Sequence, residues 1–213
     1  MSNNALLSDN KKKVEIIIKT LKKLFPTAKT VLNYSNNFQL LTVVVLSAQC
    51  TDNMVNKVTK ELFKKYKKVE DFAKADIQRF EKEIKSTGFY RNKAKNIINS
   101  AKIIVRDYKG NVPNSMSELL KLPGIARKSA NIILYLAHRK IAGIAVDTHV
   151  IRLSKVLGLS QNTNPEKIEK DLMEILPKKE WMDFNFRLVD YGRKYCMAKK
   201  HDHGNCPLTP LIS

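Results

Sequence analysis

An all-α fold is predicted for this chain by three observations. Apolar residues recur at helical spacing in nearly every segment. Those segments stop at Gly or Pro and begin at Ser, Asp or Pro. The strict alternation that marks half-buried strands is almost absent.

The elements follow in order. Val14, Ile17, Ile18, Leu21 and Leu24 make one apolar helix face, with a start expected at Ser8 or Asp9 and a stop at Pro26. The run Phe38 to Gln49 is apolar almost all round, and periodicity alone allows a buried helix or a buried strand. Met54, Val55, Val58, Leu62 and Tyr66 form a face after Asp52; Ile77, Phe80 and Ile84 form another, ended by Gly88. Ala94, Ile97, Ile98, Ala101, Ile104, Val105 and Tyr108 give the clearest helix, closed by Gly110. A short helix from Ser115, a Pro-Gly turn and a helix from about Ala126 to His138 come next. After the short, partly apolar link Arg139 to Val146, one helix runs from Thr148 towards Gly158. Another starts at Pro165, a favourable first helical position, and stops before Pro177. An aromatic-rich helix from Trp181 to Cys196 is the last.

Composition narrows the partners. Of 213 residues, 39 are basic and 20 acidic, a formal charge of +19. A surplus of that size favours a polyanion, although a lysine-rich proteome would also inflate it. No apolar segment follows the charges of Met1 to Lys13, and Leu40 to Ala48 is about half of what a bilayer needs. Three cysteines, Cys50, Cys196 and Cys206, form no disulfide framework. The cytoplasm is the expected compartment.

The most informative stretch is Leu122-Pro123-Gly124-Ile125-Ala126-Arg127-Lys128, followed by Val146-Asp147-Thr148-His149. Pro-Gly between two helical segments reads as a tight helix-to-helix connection. The N–H groups of such a turn and of the next helix start have no intrahelical partners, and they suit an anion such as a DNA phosphate. Lys128 falls about one turn into that helix. Asp147 precedes an apolar-periodic run, where Asp commonly caps a helix. An amine and a carboxylate at helix starts beside a phosphate anchor point to chemistry on nucleic acid.

These residues resemble the endonuclease III family of the helix-hairpin-helix, Gly/Pro-Asp DNA glycosylase superfamily. The marks are Leu46-Ser47-Ala48-Gln49-Cys50-Thr51-Asp52, Gly88-Phe89-Tyr90-Arg91-Asn92-Lys93-Ala94, the hairpin with Lys128, and Val146-Asp147-Thr148-His149. The resemblance implies two helical domains: a six-helix barrel with the hairpin over residues 30–140, and a second domain from 1–29 and 141–213. It makes the run at 38–49 a buried helix. It also implies that Lys128 and Asp147 face each other across a cleft.

A base inside a duplex must be flipped out to be reached, at a cost of a few kcal/mol. By resemblance, the hairpin residues Leu122, Pro123, Gly124, Ile125 and Ala126 anchor the backbone. Gln49 fills the space of the flipped base, and Phe89 wedges into the opposite strand. Read without the family, Phe89 is a core aromatic at a helix end. Lys128 is implied as the nucleophile that attacks C1′ and forms a Schiff base, which makes the enzyme bifunctional. Asp147 opposes positive charge growing on the sugar. Two unit charges near 4 Å interact by about 4 kcal/mol at an effective dielectric of 20, which bounds the effect at a few powers of ten in rate. For His149 a structural hydrogen bond and a DNA contact stand side by side.

The chain departs from the family at two places. Many members hold a [4Fe–4S] cluster on four cysteines spaced C-x6-C-x2-C-x5-C, and such clusters need thiolates. Aligned on Cys196, this chain offers Cys196, His203, Cys206 and Ile212. No ordinary cluster is therefore expected, and no cofactor. The ligand types at Cys196, His201, His203 and Cys206 suit Zn²⁺, but the spacing is not a usual zinc pattern. The reading taken is a decayed loop held by packing near Trp181, Phe184 and Tyr195. The second departure is Ala126, where glycine is common; a positive φ there would cost alanine about 1 kcal/mol.

The function expected is that of a DNA glycosylase with abasic-site lyase activity in base excision repair, acting on oxidised pyrimidines. Its partner is double-stranded DNA with damaged bases or abasic sites, engaged as a monomer and without a membrane. The rivals are a non-catalytic DNA-binding protein that kept the hairpin, and a sister glycosylase for mismatched or alkylated bases.

Overall fold

The apolar periodicity resolves into eleven α-helices, and no strand occurs among the described residues. The computed structural model describes residues 3–27 and 29–211, with side chains from residue 12 onward. In chain order the helices are α1 (Asn3–Leu24), α2 (Asn37–Leu46), α3 (Asp52–Lys65), α4 (Val69–Ala73), α5 (Ile77–Glu83), α6 (Tyr90–Tyr108), α7 (Met116–Leu119), α8 (Arg127–His138), α9 (Thr148–Val156), α10 (Pro165–Ile175) and α11 (Trp181–Lys194). They fall into two compact units, Val31–Ala142 and Met1–Thr30 with Gly143–Ser213.

In the first unit α2 is the axis. Asn36 caps it through the Gln39 N–H, and every residue from Phe38 to Leu46 is buried. A helix apolar on all sides is stable only when surrounded, and α3, α6 and α8 pack against it. Thr42, one of two polar residues in the run with Gln39, turns its hydroxyl back onto the Phe38 carbonyl at 2.9 Å. An aromatic cluster fills one end: the Phe72 ring lies 4.9 Å from Phe38 and 5.3 Å from Tyr66, and Tyr66 lies 5.3 Å from Phe80.

The second unit joins α1, α9, α10 and α11. Val14, Ile17 and Leu21 of α1 are buried as their spacing requires. Arg187 of α11 is buried too, and its charge is met by Asp183 at 3.3 Å and Glu180 at 3.7 Å. Its Nε–H donates to the Phe25 carbonyl, just past the end of α1.

Several boundaries and one element differ from those expected; α11, for instance, ends at Lys194 and not Cys196. Helix α1 already begins at Asn3, so Ser8 and Asp9 lie within it. Helix α4 was missed because it is a single short turn, held by the Asp71 carboxylate, which accepts from the Lys67 and Lys68 N–H groups. Helix α5 ends at Glu83, and a 3₁₀ turn over Lys85–Thr87 fills the gap to Gly88. Ala126 is the cap residue before α8, not its first helical residue.

Candidate active site and nucleic-acid interface

Helix α7 leads into the hairpin. Leu122 and Ile125 turn their side chains into the core, and their N–H groups are spent on the Leu119 and Leu122 carbonyls at 3.1 and 3.2 Å. Gly124 and Ala126 are exposed, and their N–H groups have no partner among the described residues. These two, with the N–H groups of Lys128 and Ser129 at the start of α8, are the donors available to an anion. The hairpin is held on α6: Ser100 donates to the Pro123 carbonyl at 3.1 Å. Gly124 has φ +79°, and a Cβ there would lie 2.7 Å from Asn96 Nδ2. Both the backbone and the neighbouring helix thus demand glycine. Ala126 has φ −96° and ψ 170°, an ordinary extended conformation, so the strain expected at this alanine does not arise. Lys128, half-buried, sits on the first turn of α8.

Two loops of the same unit approach the hairpin. Gln49 follows α2 with φ +52°, and Phe89 opens α6 with φ +47°. Left-handed backbone at two non-glycine residues costs of order 1–2 kcal/mol each and must be held in place. Lys93 does the holding. It is 5% exposed, and its amine donates to the Leu46 carbonyl, where α2 ends, and to the Thr87 carbonyl before Phe89, both at 2.8 Å. Burial pushes the Lys93 amine below the ordinary lysine range, with Cys50 acting against that shift. Gln49, Phe89, Lys93, Asn96 and Gly124 border one cavity of about 150 Å³. Phe89 is 65% exposed, which removes the reading of it as a core aromatic.

The second unit carries Asp147. Its Oδ1 accepts from the Val150 N–H at 2.9 Å, the N-cap of α9. The segment leading to it is held by two side chains: Asn185 donates to the Ala145 carbonyl at 2.6 Å, and Glu169 accepts from the Ile144 N–H at 3.2 Å. His149 lies two residues on, in the first turn of α9, half-buried against α11, where a Cβ on Gly192 would meet its Nδ1 at 2.6 Å. That Nδ1 has no hydrogen-bond partner among the described residues. Desolvation holds the His149 pKa below its ordinary value; Asp147 opposes that shift, and Arg193 and Arg152 assist it.

Residues 42–178 match the model of the HhH-GPD superfamily of base excision DNA repair proteins. The endonuclease III of Synechocystis sp. is 46% identical over 205 residues, covering 96% of this chain and 94% of that protein. The Bacillus subtilis endonuclease III is 44% identical over 203 residues, covering 95% and 92%. The chain belongs to the endonuclease III family. A solved non-covalent endonuclease III–DNA complex superposes with a TM-score of 0.89 at 42% identity, covering 95% of this chain and 94% of that one. A trapped covalent endonuclease III–DNA intermediate gives 0.88 at 43%, covering 93% of each.

Against the endonuclease III pattern the C-terminal loop stands apart. Cys196, His201, His203 and Cys206 bring one donor atom each within 4.8 Å of one another, and Ile212 lies outside the described residues. Two thiolates and two imidazoles do not fit a cluster that needs four thiolates. Lys93 had no role from sequence beyond its place in the Gly88–Ala94 motif, and Asn185 and Glu169 were not singled out. A lysine amid a lysine-rich helix carries no mark of burial, and the other two act through backbone partners far along the chain. No helix among the described residues is long and apolar enough to cross a membrane.

Proposed function

We propose that this chain is a bifunctional DNA glycosylase and abasic-site lyase of base excision repair, acting on double-stranded DNA with damaged bases, foremost oxidised pyrimidines. The observation that carries the reading is a lysine amine on the first turn of α8, directly after a glycine hairpin with exposed N–H groups. The relative captured as a covalent DNA intermediate supports a nucleophilic route.

The chemistry follows from the residues. Exposed amides of the hairpin and the start of α8 hold a phosphate, which fixes the strand relative to Lys128. Flipping exposes the nucleotide; Gln49 enters the vacated space and Phe89 separates the facing bases. The neutral Lys128 amine attacks C1′, the C1′–N bond breaks, and the base leaves with its electron pair and gains a proton. The attached amine then gives up a proton, the C1′–O4′ bond breaks with its electron pair going to O4′, which is protonated, and the opened sugar is left as a Schiff base. Loss of a C2′ proton expels the 3′ phosphate by β-elimination and cuts the strand. Asp147 opposes positive charge on the sugar while the glycosidic bond breaks. His149 adds a contact near the same helix start. The Cys/His loop takes part in none of these steps. The same reading has the enzyme act as a monomer in the cytoplasm, associated with the nucleoid.

Borohydride reduction in the presence of duplex DNA carrying an oxidised pyrimidine is the test. The wild-type chain forms a covalent complex and Lys128→Ala forms none. Asp147→Asn slows base release by roughly a hundredfold or more while binding persists. Trapping that survives in Lys128→Ala would refute the assignment of the nucleophile. Salt-dependent binding without base release would favour the non-catalytic reading, and a panel of lesion duplexes ranks substrates.

A further inference from the structure

We propose that Cys196, His201, His203 and Cys206 form a binding site for a single structural zinc ion, in place of the iron–sulfur cluster of the family. Their donor atoms converge within 4.8 Å. Cys196 Sγ lies 3.5 Å from His203 Nδ1, and His201 Nε2 lies 3.2 Å from Cys206 Sγ. Tetrahedral zinc with Zn–S near 2.3 Å and Zn–N near 2.0–2.1 Å has ligand–ligand edges of about 3.3–3.8 Å. Those separations are near the edges of one such tetrahedron.

The surroundings are arranged as a ligand shell requires. His201 Nδ1 faces the Lys199 carbonyl at 2.8 Å. A ring N–H donated there leaves Nε2 with a free lone pair aimed at the cluster, the usual outer-shell arrangement of a metal-binding histidine. Arg152 of α9 donates to Cys196 Sγ at 3.6 Å and to the Cys196 carbonyl at 2.7 Å, which places a cation beside one sulfur. Both cysteines are buried and both imidazoles lie on the outer side. The loop between them has its own frame: Asp202 caps the turn at Gly204, Cys206 N–H donates to the His203 carbonyl at 3.0 Å, and Leu208 N–H donates to the Tyr191 hydroxyl at 3.2 Å.

The pairing also decides against iron clusters. A four-iron cluster places each ligand on a different iron and needs four thiolates. A two-iron centre with mixed ligands puts both histidines on one iron and both cysteines on the other. Here each cysteine is close to a histidine, which suits one ion shared by all four. The packed, metal-free loop expected from sequence is replaced by this reading, because the unusual spacing that counted against zinc still brings all four donor atoms together in space. An ion here fixes the loop that Arg152 grips, and through it the helix that begins at Asp147.

The test reads metal, so it is independent of glycosylase activity. Protein purified without chelators or metal-affinity resin is assayed for zinc, iron and sulfide. About one zinc per chain without sulfide is expected. Zinc content falls to background in Cys206→Ser and His201→Ala, and Arg152→Met weakens zinc affinity about tenfold at unchanged stoichiometry. Should the ligand variants not fold, thiol titration of the wild-type chain with a mercurial reagent releases zinc in step with two thiols. Cobalt in the stripped wild-type chain gives the visible bands of a tetrahedral thiolate site. About four irons with sulfide, one ion of another metal without zinc, or no stoichiometric metal would each overturn the proposal.

Discussion

Lys93 brings a positive charge to a place almost closed to water and uses it to join two chain segments, one carbonyl at the end of α2 and one before Phe89. Replacement by methionine keeps an unbranched stem one atom shorter but leaves both carbonyls without that donor. Loss of about 2 kcal/mol is expected, seen as a fall of roughly 4–8 °C in Tm. Weaker binding to abasic duplex should accompany it, since Gln49 and Phe89 lose the clamp on their left-handed backbone. An unchanged Tm in Lys93→Met would dispose of the clamp. His149 gives a pH-dependent counterpart. Its folded pKa lies below the ordinary 6.5, desolvation being the main cause. As pH falls below about 6.5 the unfolded chain binds the proton first, so stability declines through that window and is fully present above it. Urea midpoints between about pH 5 and 7 should therefore fall less steeply in His149→Gln than in the wild type. Legibility differs sharply between these residues. Asp147 was readable because a helix cap is local, one side chain meeting an N–H three residues ahead. Lys93 was not, because its partners Leu46 and Thr87 become neighbours only after α2 and α6 pack.

At the scale of elements, the hairpin between α7 and α8 works because it cannot move independently of α6. Pro123 is held by Ser100, and Gly124 passes so close to Asn96 that no side chain fits. Gly124→Ala meets two costs together: about 1–2 kcal/mol for the positive φ, and a further steric displacement against Asn96. Expected are a lower Tm and a loss of affinity for abasic duplex larger than the stability change predicts, because the displaced loop carries the exposed donors. Binding as tight as wild type, measured below the new Tm, would show that the hairpin is not the anchor. Most elements could be read from sequence for the same reason that α6 was clearest: an apolar stripe and a terminal glycine are local signals. Helix α2 resisted because it is buried on all sides, which erases the stripe. Helix α4 resisted because one turn is too short to show a period. The Cys/His loop resisted for another reason, that ligand convergence depends on how α11 ends and how Asp202 turns the chain.

For the whole molecule the dominant quantity is charge. With 39 basic and 20 acidic residues, much of the surplus is lysine on exposed faces, and a duplex phosphate array is its natural counterpart. Binding that neutralises several phosphates releases as many counterions, so affinity must fall steeply with salt. If six to ten phosphates are engaged, raising salt from about 50 to 200 mM weakens binding by roughly 10³ to 10⁵. Lys128→Ala should leave that slope unchanged to within a few tenths, whereas loss of one phosphate contact would lower it by about 0.9. The comparison separates two roles that a lysine-rich chain can confuse. A lysine serving as one more phosphate ligand lowers the slope and leaves trapping intact. A lysine serving as nucleophile leaves the slope and removes trapping. Titrations of wild type and Lys128→Ala against abasic duplex across that salt range distinguish the two, and a fall of about one unit in slope with trapping intact would return Lys128 to the electrostatic background.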